Sequence, residues 1–175
     1  LVDDQRASGK LCLSNVDLRK LFVERSLKWL QEHPQSVVVS AEPADGGAWC
    51  QCQACKTLGS PSDRALGMAN EIARAVDAAY PDVERYVGLL SYSHHSSTPE
   101  RVKAHPRVLM GFAQGFYSGE LIGMDLVDAW LEQGVKQFGI YDYFSVYQWS
   151  RDMPGEPGVA ALKRIARKIK DYHDR

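Results

Sequence analysis

Short apolar runs alternate with longer segments of helical periodicity along the 175-residue chain. Runs such as "SVVVSA" and "RVLMGFA" predict strands, because they are brief and rich in β-branched or aliphatic residues. Longer segments in which apolar residues recur at every third or fourth position predict helices. The predicted strands are residues 10–15, 36–41, 85–92, 107–113 and 137–144, and the predicted helices are residues 16–33, 60–80, 124–134 and 158–173.

The clearest helix signal lies in "SPSDRALGMANEIARAVDAAYPD". Ser60 is a suitable N-cap, Pro61 fits the first helical position, and Asp63 completes a capping box. Asn70 falls on the apolar side of this helix, so we expect its amide to hold a neighbouring loop. The predicted apolar stripe consists of Leu66, Ala69, Ala73, Val76 and Tyr80.

Three other elements carry explicit burial predictions. Residues 36–41 lack polar alternation, which is typical of a strand covered on both faces of a parallel sheet. The first and last helices each have an apolar stripe that predicts an inward face. These stripes are Leu18, Leu21, Phe22, Trp29 and Leu30 on the first helix, and Leu162, Ile165, Ala166 and Ile169 on the last.

The order of the predicted elements, β-α-β-α-β-β-α-β-α, favours an α/β fold of parallel strands joined by right-handed crossovers. Two architectures agree with it: part of a TIM-like (β/α) barrel, or an open doubly wound sheet. We expect residues 1–175 to form one domain of a larger multidomain protein. The sequence contains neither G-x-G-x-x-G nor G-x-x-x-x-G-K-[ST], which weakens a nucleotide-binding function.

Composition and charge narrow the function classes further. With 45% hydrophobic and 25% charged residues, the chain has the composition of a soluble globular protein. Its formal net charge of -1 supplies no global positive field, so neither nucleic acid nor a membrane surface is an expected partner. No apolar run is long enough to span a bilayer, and no signal-peptide pattern follows Leu1.

Several motifs together resemble a bacterial family known as domain of unknown function 4838. They are "LCLSN", "SVVVSAEPADGGAWCQCQAC", "SDRALGMANEIARAVDAAYPD", "YVGLLSYSHH" and "FGIYDYF". The resemblance implies a longer, often exported multidomain protein, whose central region is similar to glycoside hydrolase barrels of the alpha-glucuronidase and hexosaminidase type. The chain would then be the later portion of such a barrel. Family members tend to carry Asn where this chain has Ala44 in "EPAD", so the resemblance gives Glu42 no role.

The four cysteines form the most distinctive pattern. Cys50, Cys52 and Cys55 make a C-x-C-x-x-C motif, and thiolates at this spacing can converge on one ion. Structural zinc requires four ligands, so Cys12, at the end of the first predicted strand, is the expected fourth. The two histidines after the third predicted strand are reserve ligands. Two alternatives stay open: a pair of disulfides, or free buried thiols.

Ligands of parallel α/β folds bind at the carboxyl ends of the strands. Asp45 and Asp142 lie near such ends and are the expected catalytic carboxylates, because glycosidases use one carboxyl group as acid and another as base or nucleophile. Asp45 is alternatively a turn residue that bonds backbone amides. Aromatic rings bind the apolar faces of sugars. The expected substrate-binding residues are Trp49, Tyr92, His94, His95, Tyr141 and Tyr143.

The sequence therefore supports two hypotheses for the function, which belong to different classes. The first is a portion of a carbohydrate-active enzyme that acts on a polysaccharide or glycoside. The second is a non-catalytic, zinc-stabilised α/β module that binds carbohydrate or protein. A partial barrel also leaves two unpaired edge strands, which predicts a homodimer formed through these edges.

Overall fold

A four-stranded parallel sheet organises the protein, for which a computed structural model describes residues 2, 5, 9–46, 48–142 and 162–174. The strands are β1 (Val38–Ser40), β2 (Tyr86–Ser91), β3 (Val108–Ala113) and β4 (Gln137–Tyr141). The helices are α1 (Val16–Glu32), α2 (Gln53–Thr57), α3 (Pro61–Ala79), α4 (Gly123–Glu132) and α5 (Leu162–His173). A single 3-10 turn, Ser93–His95, follows β2.

The four strands lie side by side in chain order, and every neighbouring pair is parallel. α3 lies between β1 and β2 in the chain, and α4 lies between β3 and β4. The predicted α/β fold of parallel βα units is therefore confirmed. Within the described residues the strand order never reverses, so the sheet contains no doubly wound switch point there. Closure of the sheet into a barrel stays a prediction.

The prediction of a strand at residues 10–15 is wrong. This segment forms a turn that leads directly into α1. Asn15 caps α1 by accepting a hydrogen bond from the amide of Leu18 at 3.0 Å. The side chains of Cys12 and Ser14 face a cysteine cluster instead of a sheet. The apolar residues of this segment thus lie beside the cysteine cluster and line a neighbouring cavity, and they do not pack in a sheet.

Two burial predictions also need correction. The strand predicted at residues 36–41 is not covered on both faces throughout, because Val39 is buried whereas Val37 is exposed. Within the described residues this strand pairs only with β2. On α1, the predicted inward residues Leu21 and Trp29 are exposed, whereas Ser26 is buried. The physical reason for α1 is that, among the described elements, it packs mainly against α3 and β1, so its buried stripe is narrower than the apolar pattern suggests.

α3 confirms its sequence signals. Ser60 and Asp63 form the predicted capping box, and the residues from Leu66 to Val76 on the predicted stripe are buried. The amide of Asn70 donates to the carbonyl of Lys103 at 2.8 Å and accepts from the amide of His105 at 2.9 Å. Asn70 therefore holds the loop before β3, as predicted.

The last helix differs from its prediction in one respect. Ala166 and Ile169 of α5 are exposed, although the apolar pattern predicts that they face inward, and Ile165 is half-buried. The contact of α5 with the sheet runs instead through Lys168 and Tyr172, which both bind Asp142 at the end of β4. Polar contacts thus link α5 to the residue that follows β4.

The core lies between the sheet and the helices α3 and α4. Phe112 and Trp130 are its largest fully buried side chains, and their rings meet edge to face at 6.5 Å. None of the described helices is both long and apolar enough to cross a bilayer. The loops that follow β1 and β2 contain most of the residues of the candidate sites.

Candidate metal centre and strand-end site

The four cysteine sulfurs form one cluster. Sγ of Cys12 lies 3.7 Å from Sγ of both Cys52 and Cys55, and the four Sγ atoms all lie within 4.8 Å of one another. All four cysteines are free thiols. A disulfide needs an S–S distance of about 2.05 Å, so the alternative of two disulfides is not what this structure forms.

The spacing of the sulfurs fits a tetrahedral metal ion. Four thiolates at about 2.3 Å from a central ion lie about 3.8 Å from each other along the edges of the tetrahedron. The two 3.7 Å separations from the sulfur of Cys12 agree with this value. Four sulfur donors without an open position are typical of a structural site and not of a catalytic one. The cluster can therefore hold a metal whose role is to join chain segments.

Local structure explains how the motif converges. Cys52 is the N-cap of α2, and its sulfur accepts a hydrogen bond from the amide of Cys55 at 3.4 Å. The helical turn of α2 brings these two sulfurs together, while Cys12 arrives from the turn before α1. Cys50 lies at the end of the loop that follows β1 and is buried. Two distant segments of the chain are thus joined at one point.

Ser14 is a member of this site that the sequence reasoning missed. Its hydroxyl lies 3.2 Å from the sulfur of Cys12, 3.4 Å from that of Cys55 and 3.6 Å from that of Cys52. A hydroxyl in this position can donate a hydrogen bond to a thiolate. The only sequence signal for it is its position two residues after Cys12.

The thiols differ in acidity. The pKa of Cys52 is lowered to about 6, first because the amide of Cys55 donates to its sulfur and second because of Ser14. Burial raises the pKa of Cys55 to about 11. The metal-free cluster therefore combines one readily ionised thiol with one that stays protonated at neutral pH, and a bound cation would deprotonate both.

Arg64 and Lys10 fasten the loop between β1 and the cysteines. The guanidinium of Arg64 donates to the carbonyl of Cys50 at 2.8 Å, and the ammonium of Lys10 donates to the carbonyl of Gly46 at 2.7 Å. Both cations also lie over the ring of Trp49, at 5.6 Å and 5.4 Å from its centroid. Trp49 is only 8% exposed, so it belongs to the core of this loop.

A carboxylate and an imidazole connect the ends of β1 and β2. Nε2 of His95 lies 3.0 Å from Oε1 of Glu42, and Oε2 of Glu42 accepts the amide hydrogen of Leu90 at 2.7 Å. His95 is 3% exposed, and its Nδ1 has no hydrogen-bond partner among the described residues. When neutral, the ring donates through Nε2 to the carboxylate, which leaves the lone pair of Nδ1 available.

Two cavities adjoin Glu42. The polar cavity, of about 280 Å³, lies over the loops that follow β1 and β2, and Asp45, Tyr92, His94 and His95 are among its lining residues. The apolar cavity, of about 370 Å³, lies between α1, α3 and the end of β1. Glu42 lines both and thus lies between the two cavities.

Comparison with known proteins identifies the family. Residues 1–172 match the family described as "Domain of unknown function (DUF4838)". The chain belongs to this family. No curated protein and no solved structure shows significant similarity to it. Membership of the DUF4838 family confirms the family resemblance found in the sequence, whereas the likeness to glycoside hydrolase barrels stays a prediction.

In this DUF4838 chain, the two predicted catalytic carboxylates follow the two outer strands of the described sheet, β1 and β4. Asp45 is exposed in a turn, where its carboxylate accepts the amide hydrogen of Gly46 at 2.9 Å, and it also lines the polar cavity. The side chain of Asp142 is 7% exposed and accepts from Lys168 at 2.6 Å and Tyr172 at 2.5 Å. β1 and β4 are three strand spacings apart, or about 14 Å. A catalytic role for either residue stays a prediction.

The predicted substrate-binding residues divide into four groups. Trp49 is buried in the loop after β1 and is among the residues that line the apolar cavity. Tyr92 and His94 line the polar cavity together with His95, and Tyr92 packs against Phe116 with ring centroids 5.1 Å apart. Tyr141 is exposed at the end of β4, at the opposite edge of the sheet. Tyr143 lies outside the described residues. Their contact with a substrate stays a prediction.

Proposed function

We propose that this DUF4838 chain carries the ligand-binding face of a carbohydrate-active enzyme, and that a structural zinc ion in the cysteine cluster holds that face together. The observation that carries the proposal is the bridge made by Glu42. This carboxylate binds the backbone of Leu90 and the ring of His95 at the carboxyl ends of two adjacent parallel strands, beside a cavity.

The position and chemistry of the polar cavity support a carbohydrate ligand. Active sites of parallel α/β folds lie at the carboxyl ends of the strands, which is where this cavity opens. Sugar hydroxyls need both donors and acceptors, and the carboxylates of Glu42 and Asp45 and the ring of His94 supply them. The ring of Tyr92 adds an aromatic surface of the kind that contacts the apolar face of a sugar.

Glu42 and Asp45, which both line the polar cavity, are better candidates for the two carboxyl groups of a glycosidase than Asp45 and Asp142. Glycosidases place two carboxyl groups about 5 to 9.5 Å apart. Glu42 and Asp45 are three residues apart on one loop and line one cavity, so a substrate in that cavity meets both. His95, held by Glu42, supplies a nearby group that can transfer a proton.

Zinc is the metal that best matches the four thiolates. Tetrahedral sites of four sulfur ligands are typical of zinc. The two 3.7 Å separations from the sulfur of Cys12 match the tetrahedron edge of about 3.8 Å that zinc–sulfur bonds of about 2.3 Å produce. When bound, the ion would join the turn before α1 to the loop after β1. Cys12, Cys52 and Cys55 with buried Cys50 would be its ligands. The chain itself positions the carboxylates, so the ion has no direct part in the chemistry.

The decisive experiment measures binding and hydrolysis on a panel of glycosides. Isothermal titration calorimetry with methyl glycosides should detect binding, and Glu42→Gln should weaken it about tenfold or more, because a charged hydrogen-bond partner is lost. Glu84→Gln, at an exposed position before β2, is the matched control and should bind like the original chain. If no glycoside of the panel binds, or if both variants bind equally well, the proposal is wrong.

A second function is favoured by the contacts of Asp142. Oδ2 of this carboxylate accepts from both Lys168 and Tyr172, so Asp142 is engaged in polar contacts within the chain. A carbohydrate-binding module without catalytic activity fits this arrangement. Binding without turnover of the same glycosides, in a protein that contains zinc, would favour the module over the enzyme.

A further inference from the structure

A lysine holds the turn that carries Asp45. The ammonium of Lys10 donates hydrogen bonds to the carbonyl of Ala44 and, at 2.7 Å, to the carbonyl of Gly46, and these two residues lie on either side of Asp45. Hydrogen bonds from a charged donor are roughly twice as strong as neutral ones. Lys10 and all three residues of the turn line the polar cavity. Lys10 therefore fixes the Asp45 turn, residues 44–46, in the wall of that cavity.

The segment that carries Lys10 lies directly against the same loop. The backbone amide of Lys10 donates to the carbonyl of Ala48 at 3.1 Å. A Cβ atom on Gly9 would lie 2.6 Å from the oxygen of this carbonyl, so only glycine permits so close an approach. These backbone contacts place the ammonium of Lys10 within reach of the Asp45 turn.

The same two segments meet a second time, at the cysteine cluster. Cys12 follows Lys10 by two residues, which span at most about 7 Å of extended chain. Cys50 follows Ala48 by two residues as well. An ion bound to both cysteines would tie the two segments together at one end, and Lys10 ties them at the other. The metal and Lys10 thus act on one small unit of structure.

We propose that Lys10 is a positioning residue through which the metal in the cysteine cluster regulates the polar cavity: with the ion bound, Lys10 holds the Asp45 turn in place, and without the ion the turn loosens. The inference rests on the proposed function, because it takes the polar cavity to bind the sugar and the cluster to bind zinc. Coupling between two binding sites is reciprocal. A sugar in the cavity therefore raises the zinc affinity by the same factor by which zinc raises the sugar affinity.

The experiment is isothermal titration calorimetry with the methyl glycoside that binds most tightly, on zinc-loaded and on chelator-treated protein. Chelation should weaken binding by the original chain about tenfold, which is within the usual range of such couplings. Lys10→Met keeps the length of the side chain and removes the ammonium. This variant should bind about tenfold more weakly even when loaded with zinc, and chelation should weaken it by less than about twofold more. Lys20→Met, at an exposed position of α1, is the matched control and should respond to chelation like the original chain.

Two further substitutions test the position of the ammonium. Lys10→Arg should bind within about threefold of the original affinity, because a guanidinium also donates to carbonyls. Gly9→Ala should weaken binding as Lys10→Met does, because the added Cβ pushes the segment away from the loop. Gly67→Ala is its matched control, since a Cβ there meets no atom within 4 Å, and it should leave the affinity unchanged.

The reciprocal measurement keeps the proposal testable if chelated protein unfolds, which circular dichroism detects. Competition with a zinc-sensitive dye gives the zinc affinity with and without saturating methyl glycoside. The glycoside should raise the zinc affinity of the original chain about tenfold and that of Lys10→Met by less than about twofold. A purely structural role of Lys10 would lower the stability of the variant without removing this dependence.

A measurement without a sugar separates this proposal from the proposed function. The amide of Gly46 donates to the carboxylate of Asp45 at 2.9 Å, so its ¹⁵N resonance reports on the Asp45 turn. Chelation should shift this resonance in the original chain and shift it much less in Lys10→Met. This result without binding of any glycoside would retain the coupling and overturn the carbohydrate proposal.

The remaining outcomes overturn the coupling. Glycoside binding that Glu42→Gln weakens, but that neither chelation nor Lys10→Met changes, would retain the carbohydrate site and exclude regulation by the metal. Equal effects of chelation on the original chain and on Lys10→Met would exclude Lys10 as the connection between the two sites. A resonance of Gly46 that chelation does not move would exclude it as well.

Discussion

Nε2 of His95 lies 3.0 Å from Oε1 of Glu42, across 53 positions of sequence. This contact joins the loops that follow two adjacent parallel strands, and it takes place in a site where His95 is almost completely buried. Because Glu42 also binds the amide of Leu90, the carboxylate has little freedom to reorient. The contact therefore fixes the positions of both side chains at the carboxyl ends of β1 and β2.

Glu42→Ala should destabilise the fold by about 2–3 kcal/mol, because it leaves the amide of Leu90 and the ring of His95 without their acceptor. Urea unfolding followed by circular dichroism measures this change. Glu84→Ala at an exposed position should stay within about 0.5 kcal/mol of the original value. Equal stabilities of the two variants would mean that the contact does not contribute to the fold.

Removal of the metal should loosen the loop between β1 and α2. We expect about one zinc ion per chain by elemental analysis of protein purified without added metal. A chelator should then lower the melting temperature by about 10 °C or more, since the free energy of metal binding contributes directly to folding. Cys12→Ser should show the same lowered melting temperature without chelator. Protein with no metal that melts identically with and without chelator would contradict the zinc proposal.

Ser14→Ala tests the hydroxyl among the sulfurs. Outer groups that hydrogen-bond to metal ligands typically contribute about 10–100-fold to metal affinity. Ser14 contacts three of the sulfurs, so we expect the variant to bind zinc at least about tenfold more weakly while retaining a stoichiometry of one. Competition with a zinc-sensitive dye gives the affinity. Ser36→Ala, which lies before β1, provides the control, and an unchanged affinity of Ser14→Ala would exclude the hydroxyl from the site.

The hydrogen bonds of the Asp63 carboxylate predict that the fold becomes less stable in acid. Burial raises its pKa, but the amides of Arg101, Glu100 and Ser60 and the hydroxyl of Ser60 outweigh burial and hold the pKa below its ordinary value. A carboxyl group whose folded pKa lies below its unfolded pKa of about 4 stabilises the fold above that pH. Its contribution is lost as the pH falls through the lower, folded pKa.

Asp63→Asn should therefore flatten the dependence of unfolding free energy on pH between about pH 5 and pH 2. At neutral pH it should cost about 1–3 kcal/mol, because the capping box and two loop contacts are weakened. Thermal melts across this pH range, with Asp82→Asn as an exposed control, give the comparison. A parallel pH profile of Asp63→Asn and the original chain would refute this role.

The edge of β1 that does not pair with β2 predicts that the protein self-associates. Within the described residues β1 pairs only with β2, so its other edge offers unpaired backbone groups. We expect sedimentation equilibrium to detect a dimer that forms through this edge. Val37→Lys should weaken it, because a charge at an edge strand opposes pairing. Val16→Lys is a matched control, since the two valines are 50% and 52% exposed. A monomer at every concentration would rule out this interface.

A feature was predicted correctly from the sequence when the residues that form it are close together in the chain. The capping box of α3 needs only Ser60 and Asp63, three positions apart, and it was correctly predicted. The cysteine cluster was also predicted, because three of its members are local. Cys12 joins it from a turn, however, and not from the strand that the pattern favoured.

The features that the sequence did not predict depend on contacts between residues far apart in the chain. The contact of Glu42 with His95 exists because β1 and β2 pair in one particular register, for which the sequence contains no direct signal. The partners of Asp142 lie on a helix 26 and 30 residues further along the chain. Neither pairing has a periodic pattern, so only the folded arrangement reveals them.

The cysteine cluster has a consequence for the folding of the chain. Cys12 and Cys52 are 40 positions apart, and the segment between them contains α1, β1 and Glu42. An ion that bridges them acts as a cross-link, and closing a loop of that length removes about 4 kcal/mol of chain entropy from the unfolded state. Unlike a disulfide, this cross-link forms without an oxidant. The edge strand and its helix would thereby unfold together with the rest of the sheet, instead of fraying first.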